Sequence, residues 1–347
     1  MADYLTSQVK VGIGIEASGA LGTGVAPTIL LPVNPPSLTE PSDPILDNLL
    51  RGSLYKDWGS FAGVRRVEGT LEGNLDVAQF GYLLAAFLGG TVTKYSLPSA
   101  APTFYAYKFS IAAESRGLTV QVEDQIQTRR LLGSKIASLE IRASAAEGAV
   151  TWSASLNGMK LRISTDGDYG AAGAIPADTS EKPLIGWMGN VGIGGTGSIT
   201  VDAAAGTVTE ALGTAFAKLV EATITFEREI ATVYSEANQR EPKYIISGPL
   251  TITLAATIHF DDWALMTRYR DKAQENFFLQ LTYGTANSDT ERTLDLRFPK
   301  MDFAEAAAEI DLGGVTPALS YSGRALVATE GVPVEIVTVC KTSITYL

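Results

Sequence analysis

Between Arg66 and Gly90 the sequence reads RVEGTLEGNLDVAQFGYLLAAFLGG, and its hydrophobic period changes once, cleanly, in the middle. Up to Asp76, Val67, Gly69, Leu71, Gly73 and Leu75 alternate with Glu68, Thr70, Glu72 and Asn74, the two-residue repeat of a strand with one buried face. From Val77 the repeat becomes helical, with Phe80, Leu83, Leu84 and Phe87 at three- and four-residue steps. Asp76 supplies an N-cap and Gly89-Gly90 a stop. A strand that feeds a short amphipathic helix predicts a sheet whose open face that helix covers.

The neighbouring sequence extends the β pattern. Strands are predicted over Val9 to Glu16, Thr28 to Val33, Thr103 to Ile111, Leu118 to Ile126, Lys135 to Ser144 and Ala149 to Leu156. In Lys135 to Ser144, Ala137, Leu139, Ile141 and Ala143 alternate with Ser138, Glu140, Arg142 and Ser144. Thr91 to Pro102 reads as a turn-rich passage, and Thr39 to Val64 as a long connector. The expected fold class is mainly β: two tandem sandwich- or barrel-like domains, each with one flanking short helix.

The chain has 347 residues, more than one compact core usually serves. Ser164 to Pro183 is poor in large apolar residues, which sets the boundaries at a first domain over 1–163, a linker over 164–183 and a second domain over 184–347. The sequence after the linker resembles the first half again. Val11-Gly-Ile-Gly14 is matched by Val191-Gly-Ile-Gly194, Val67 to Leu71 by Ile246 to Leu250, and Leu156-Asn-Gly158 by Tyr321-Ser-Gly323. A second strand-helix unit is expected where Ile252 and Leu254 give way to Phe260, Trp263, Ala264, Met266, Thr267 and Tyr269. The connector has a shorter, more charged counterpart in Glu227 to Lys243, and Val332 to Tyr346 forms a C-terminal strand or hairpin.

Chemistry is scarce. Cys340 is the only cysteine and His259 the only histidine, so intrachain disulfides, the common zinc sets and a serine triad lack their residues. His259-Phe-Asp261-Asp262 is the one metal or acid/base candidate, and helix capping accounts for its two carboxylates. Cys340 lies in an alternating apolar segment with no histidine beside it, as a buried structural thiol does. No catalytic, cofactor or metal site is expected. The formal charge of −11 gives no electrostatic footprint for gripping nucleic acid. The N-terminus carries no signal-peptide pattern, and Pro183 to Val201, poor in charge, is broken by glycines, so no membrane span is expected. Synthesis in the cytoplasm fits.

Two surfaces remain. Glu68, Glu72, Glu140, Glu221 and Glu227 place carboxylates on strand faces opposite the core, which suits either a solvated outer face or a functional one. Leu49, Leu50, Leu54, Tyr55, Trp58 and Phe61 either fold back over their own domain or form a patch for a neighbouring subunit. Aromatic anchors in a long loop favour the patch.

Taken in order, the strand and turn from Val11 to Gly24, the short strand Thr28 to Val33 before a long loop, the strand-helix unit Gly69 to Gly89 and the strand pair from Lys135 to Gly158 resemble the tail tube (major tail) proteins of long-tailed bacteriophages. The resemblance implies a β-sandwich with a flanking helix whose inner sheets join in a ring around a channel. It implies a virion structural protein and not an enzyme: stacked rings forming a hollow tube, other tail proteins at its ends, and viral DNA passing without specific binding. Members typically carry one such domain in hexameric rings; two per chain would give a trimeric, pseudo-sixfold ring. The contact loop would hold Leu49, Leu50, Leu54, Tyr55, Trp58 and Phe61, and the lumen Glu68, Glu72 and Glu140. The rival readings are a tail-end or capsid decoration protein, and a carbohydrate-binding β-sandwich with Trp58, Trp152, Trp187 and Trp263 as sugar platforms.

Overall fold

A computed structural model describes residues 9–47, 59–97, 104–124, 126–146, 148–171, 173–194, 197–202, 207–211, 215–216, 219–236, 240–259, 267, 271, 274–284, 291–309, 318–328 and 331–346. The fold is mainly β, with one α-helix among the described residues. The first strands are β1 (Lys10–Ile15), β2 (Ile29–Leu30), β3 (Ser37–Thr39), β4 (Ile45–Asp47), β5 (Gly59–Phe61) and β6 (Val67–Asn74), which leads into α1 (Val77–Leu88). Then come β7 (Gly89–Leu97), β8 (Phe104–Ile111), β9 (Leu118–Glu123), β10 (Thr128–Ser144), β11 (Thr151–Gly158) and β12 (Lys160–Ile163). The rest are β13 (Asn190–Ile193), β14 (Ser198–Asp202), β15 (Thr207–Ala211), β16 (Ala215–Phe216), β17 (Leu219–Tyr234), β18 (Pro242–His259), β19 (Glu275–Tyr283), β20 (Arg292–Glu309), β21 (Ala318–Ala325) and β22 (Glu335–Cys340).

The predicted strand-helix unit is present as read. β6 alternates buried and exposed residues along its whole length. Asp76 caps α1, accepting from the N–H groups of Ala78 and Gln79 at 2.9 and 3.2 Å, and Gly89 ends the helix in the left-handed region at φ 73°. Every residue of α1 is buried. Phe80 packs against Trp152 of β11 and Phe87 against Phe226 of β17, so one short helix covers strands from distant parts of the chain. Its other flank meets Tyr346, whose ring lies 4.9 Å from the Tyr82 and Tyr107 rings, centroid to centroid.

Eight strands lie side by side in the order β3, β6, β11, β10, β17, β18, β21, β20, all antiparallel. The other strands of this network attach through the first parts of β10 and β20. β10 is long because it serves two neighbourhoods: its first part pairs with β9 and β12, its last part with β11 and β17. Two irregularities bend it between them, one at Leu131/Ser134 and one at Ile136/Ser138. β20 is built alike, pairing first with β19 and β22 and then with β21, with irregularities at Phe298/Met301 and Phe303/Glu305. β22 lies between β20 and β8, so the C-terminal strand fastens early and late parts of the chain together.

Several expectations are corrected. The passage expected to be turn-rich after the helix is strand over Gly89–Leu97, masked in the sequence because its outer residues are Thr, Lys and Ser. The strand read from Lys135 begins at Thr128, since a bulge breaks strict alternation. Glu227 to Lys243 is mostly ladder: β17 runs to Tyr234 and β18 starts at Pro242, forming a hairpin arm. Among its described residues the segment 164–183 contains no strand, yet it is tied down. Arg130, fully buried, donates to the Tyr169 carbonyl at 2.9 Å and to that of Val25, and Gln121 Nε2 donates to the Gly173 carbonyl at 2.9 Å. The second helix expected from Phe260, Trp263, Ala264, Met266 and Tyr269 lies outside the described residues, except that Thr267 is helical.

Candidate assembly surface

The core side of the eight-stranded sheet is apolar: Leu71, Trp152, Leu139, Ile224, Leu254 and Tyr321, one from each of six strands, are all buried. The opposite side is set by the same two-residue repeat. It carries Glu68, Thr70, Glu72 and Asn74 on β6, Thr151, Ser153 and Ser155 on β11, Ser138, Glu140 and Arg142 on β10, Glu221, Thr223, Thr225 and Glu227 on β17, Thr251 and Thr253 on β18, and Ser322 and Arg324 on β21. No large apolar side chain interrupts these positions.

Glu68, Glu72 and Glu140 therefore share one face, as their spacing requires. Glu72 and Glu140 both stand opposite Ser153, from the strands on either side of it. Glu68 and Glu72 are exposed and Glu140 half-buried. Asn34 Nδ2 donates to Glu72 Oε1 at 3.3 Å. The face is acidic in balance but holds cations: Arg142 Nε meets Glu221 Oε1 at 2.8 Å, bridging the junction of β10 and β17. At half exposure this pair is worth at most about 1 kcal/mol, so the ladder and the apolar side hold the junction.

Two arms project beyond this sheet. The described ends of the Thr39 to Val64 connector form the β4–β5 pair, and β17–β18 forms the other arm. The turn end of the β17–β18 arm meets the base of the β4–β5 arm: Arg65 N–H donates to the Arg240 carbonyl at 2.9 Å, Arg240 Nε to the Gly63 carbonyl at 2.6 Å, and Tyr234 Oη to the Arg65 carbonyl at 3.0 Å. Arg162 of β12 steadies the second arm through Glu241 at 2.5 Å and also holds Asp168, whose carboxyl these hydrogen bonds lower to about 2. Exposed large apolar residues concentrate here: Ile45 (62%), Leu46, Phe61 (63%), Val64, Val233, Tyr244 and Ile246. Of the expected contact loop, Phe61 is thus exposed on an arm, while Leu49, Leu50, Leu54, Tyr55 and Trp58 lie outside the described residues.

The groups considered for chemistry are inert or lie elsewhere. Cys340 is buried, and burial pushes its thiol up to about 12, so it holds its proton at neutral pH. His259 ends β18, and Phe260, Asp261 and Asp262 lie outside the described residues. Among the described residues no three His, Cys, Asp or Glu side chains gather to hold a metal. Trp152 is buried with its indole N–H on the Asn74 carbonyl at 3.1 Å, which removes it as a sugar platform. Trp187 is exposed, and Trp58 and Trp263 lie outside the described residues.

Sequence reading missed the buried charges. Glu16 is buried and accepts from Gly22 N–H at 2.6 Å, Thr119 Oγ1 at 2.7 Å and Gly133 N–H at 2.9 Å, fixing the glycine-rich turn against the first bend of β10. Asp295 is fully buried; desolvation, then Glu210 beside it, holds its proton on well above the usual carboxylate range. Neither announces itself in the sequence, because each is a single acid between apolar or glycine neighbours.

A surface of polar sheet face and apolar arms suits assembly. No curated protein sequence matches this chain. A family model described as phage tail tube protein matches residues 6–325. With nearly its whole length matched, the chain belongs to the phage tail tube protein family and is a structural component of the viral tail.

Proposed function

We propose that this chain polymerises into stacked rings that form the hollow tube of a phage tail, with viral DNA passing through the lumen during ejection. Its role is mechanical and needs no catalysis. The protein is made in the host cytoplasm and assembled there with the proteins that end the tube. The observation that carries the reading is the unbroken polar face running from β6 through β10 and across β17 to β21, the wall of a channel in which Glu68, Glu72 and Glu140 face the DNA. A net acidic wall repels phosphate and lets the polymer slide.

Each ring contains three chains because each chain contains two copies of the tube domain. Strand registers support this. Lys10 of β1 pairs Glu123 of β9 as Asn190 of β13 pairs Gln280 of β19, which keeps the match of Val11 to Val191 seen in the sequence. In the two bent strands both bulges recur at one spacing, Leu131 to Ile136 in β10 and Phe298 to Phe303 in β20. The hairpin β7–β8 is extra to the first copy. Rings stack through the arms, whose exposed apolar residues would otherwise face water.

Negative-stain electron microscopy of the purified protein over a concentration series tests the reading. Hollow tubes whose rings contain three chains are expected; closed particles at every concentration, or six chains per ring, overturn it. Changing Glu68, Glu72 and Glu140 together to lysine should leave tubes intact and slow DNA ejection, more so at low salt. Unchanged ejection removes these residues from the lumen.

A further inference from the structure

We propose that neighbouring chains join by pairing β3 of one copy with the outer edge of β20 of another, in the register that β17 and β10 adopt within a single chain. This rests on the duplicated-domain reading above and names the surface and the partner, a second copy of this chain.

The in-chain junction is the template. The last part of β10, Ser138 to Ser144, has β11 on one side and β17 on the other, with Ile141 opposite Ile224 and Glu140 opposite Thr225. The corresponding part of β20, Glu305 to Glu309, has β21 on one side and, among the described residues, no strand on the other. The shared bulges fix the correspondence: Ile136 matches Phe303, so Glu140 matches Ala307 and Ile141 matches Ala308.

The other half of the seam is found the same way. β6 ends at Asn74 and β18 at His259. Counting back equally from those ends, Thr70 matches Ala255. The bulges give the same count: Gly69 lies opposite Leu156, the partner of Ile136, and Leu254 lies opposite Gly323, the partner of Phe303. This replaces the sequence match of Val67 to Leu71 with Ile246 to Leu250. Thr70 pairs Ser37 of β3, and Ala255 pairs Thr223 of β17. Ser37, Leu38 and Thr39 therefore occupy the places of Thr223, Ile224 and Thr225, with the same polar, apolar, polar order. Ile224 is fully buried by its neighbours, whereas Leu38 is half-buried and Ser37 and Thr39 are exposed, as befits a strand still lacking one neighbour. Carrying the template across places Leu38 opposite Ala308 of the second copy, Thr39 opposite Ala307 and Ser37 opposite Glu309.

The two edges differ, so the contact is head to tail and closes into a ring. β3 is three residues long and lies between Pro35-Pro36 and Pro41, which withhold N–H groups and blunt the edge against unregulated pairing.

Engineered cysteines read the register directly, because antiparallel partners stand about 4.5–5.5 Å apart at Cα, within disulfide reach. Tubes of a Thr39→Cys/Ala307→Cys variant should give dimers and trimers on oxidation in non-reducing gels. Thr39→Cys/Asp302→Cys, out of register, should give monomers. Glu140→Cys/Thr225→Cys should link within one chain and give no ladder. Cys340 is buried and contributes no background. Amide exchange on the unmodified protein covers the case in which a variant does not assemble: 37–39 and 305–309 should exchange about tenfold or more slower in tubes than in free chains. Wild-type tubes with no in-register ladder, or with no protection of these two segments, overturn the seam and leave the tube reading standing. Absence of wild-type tubes overturns both.

Discussion

Replacing Gly81 with alanine sets two well-defined effects against each other. Gly81 lies inside α1, where alanine is favoured over glycine by about 0.8–1.0 kcal/mol. By propensity alone the substitution stabilises. A Cβ at this position, however, would lie 2.3 Å from Tyr346 Oη, 2.5 Å from Cζ and 2.6 Å from Cε1. The obstacle is the phenol end of a rigid, buried ring. Tyr346 is buried, donates its hydroxyl to the Ala78 carbonyl at 3.1 Å, and packs against Tyr82, Tyr107 and Phe109. Overpacking of this kind costs about 1–3 kcal/mol, so after the propensity gain a net loss of up to about 2 kcal/mol is expected. Urea unfolding of the unassembled chain measures it. The same substitution in a Tyr346→Ala background should reverse sign and stabilise by the propensity term, because the ring is gone. A Gly81→Ala protein at least as stable as wild type, or a loss that persists without the ring, would refute the steric argument and leave the C-terminal segment without its role as a clamp on α1.

Two further stability measurements probe the buried acids. Burial raises Asp76 from 3.8 to about 6, against the pull of the backbone bonds from Gln79 and Ala78. A folded-state value above the unfolded one means that this group's contribution is full below pH 3.8 and is lost as pH rises through about 6; relative to Asp76→Asn, wild type should lose about 3 kcal/mol between pH 3.5 and 7. Parallel pH profiles for the two proteins would contradict this. Glu16→Ala should cost on the order of 3 kcal/mol by leaving two N–H groups and the Thr119 hydroxyl without their acceptor, and a change under about 1 kcal/mol in urea would show that water replaces the carboxylate.

How much of this was legible depends on range in sequence. The unit from Val67 to Gly89 is written in local signals, a period of two, a cap, a period of three to four and a glycine stop, and each is found in place. The common face of Glu68, Glu72 and Glu140 was legible for the same reason, since alternation fixes sides without any knowledge of partners. Alternation fails at a bulge, so the bent strands β10 and β20 were visible only in part, and Ala137, read as a core position, falls at the irregularity itself. The arm of β17 and β18 was hidden by charge: Glu227, Arg228 and Glu229 suggest a loop, yet the ladder continues past them. Arg228 is drawn inward, giving its guanidinium to the carbonyls of Ala112, Ala113 and Gly248. The pairing of β10 with β17 joins residues far apart in sequence, and no local pattern encodes which strand lies beside which.

The same pairing gives the proposed duplication a physical consequence. Within the chain, β10 and β17 share seven paired positions, from Ser138 to Ser144, over an apolar side closed by Phe226 and α1. The proposed seam between chains offers β3, three residues long and flanked by prolines. Half of the junctions in a ring of three chains would thus form during folding, at the high effective concentration of a single polypeptide, and half would form during assembly. Only the second kind is exposed to regulation, and it is the kind with the shorter ladder. A short ladder alone orders few residues and binds weakly, so the added stabilisation has to come from outside the sheet. In the proposed tube the exposed apolar residues of the two arms would supply it once a second ring is beneath. Ring closure and stacking would then reinforce each other, which favours extension of an existing tube over free rings in solution.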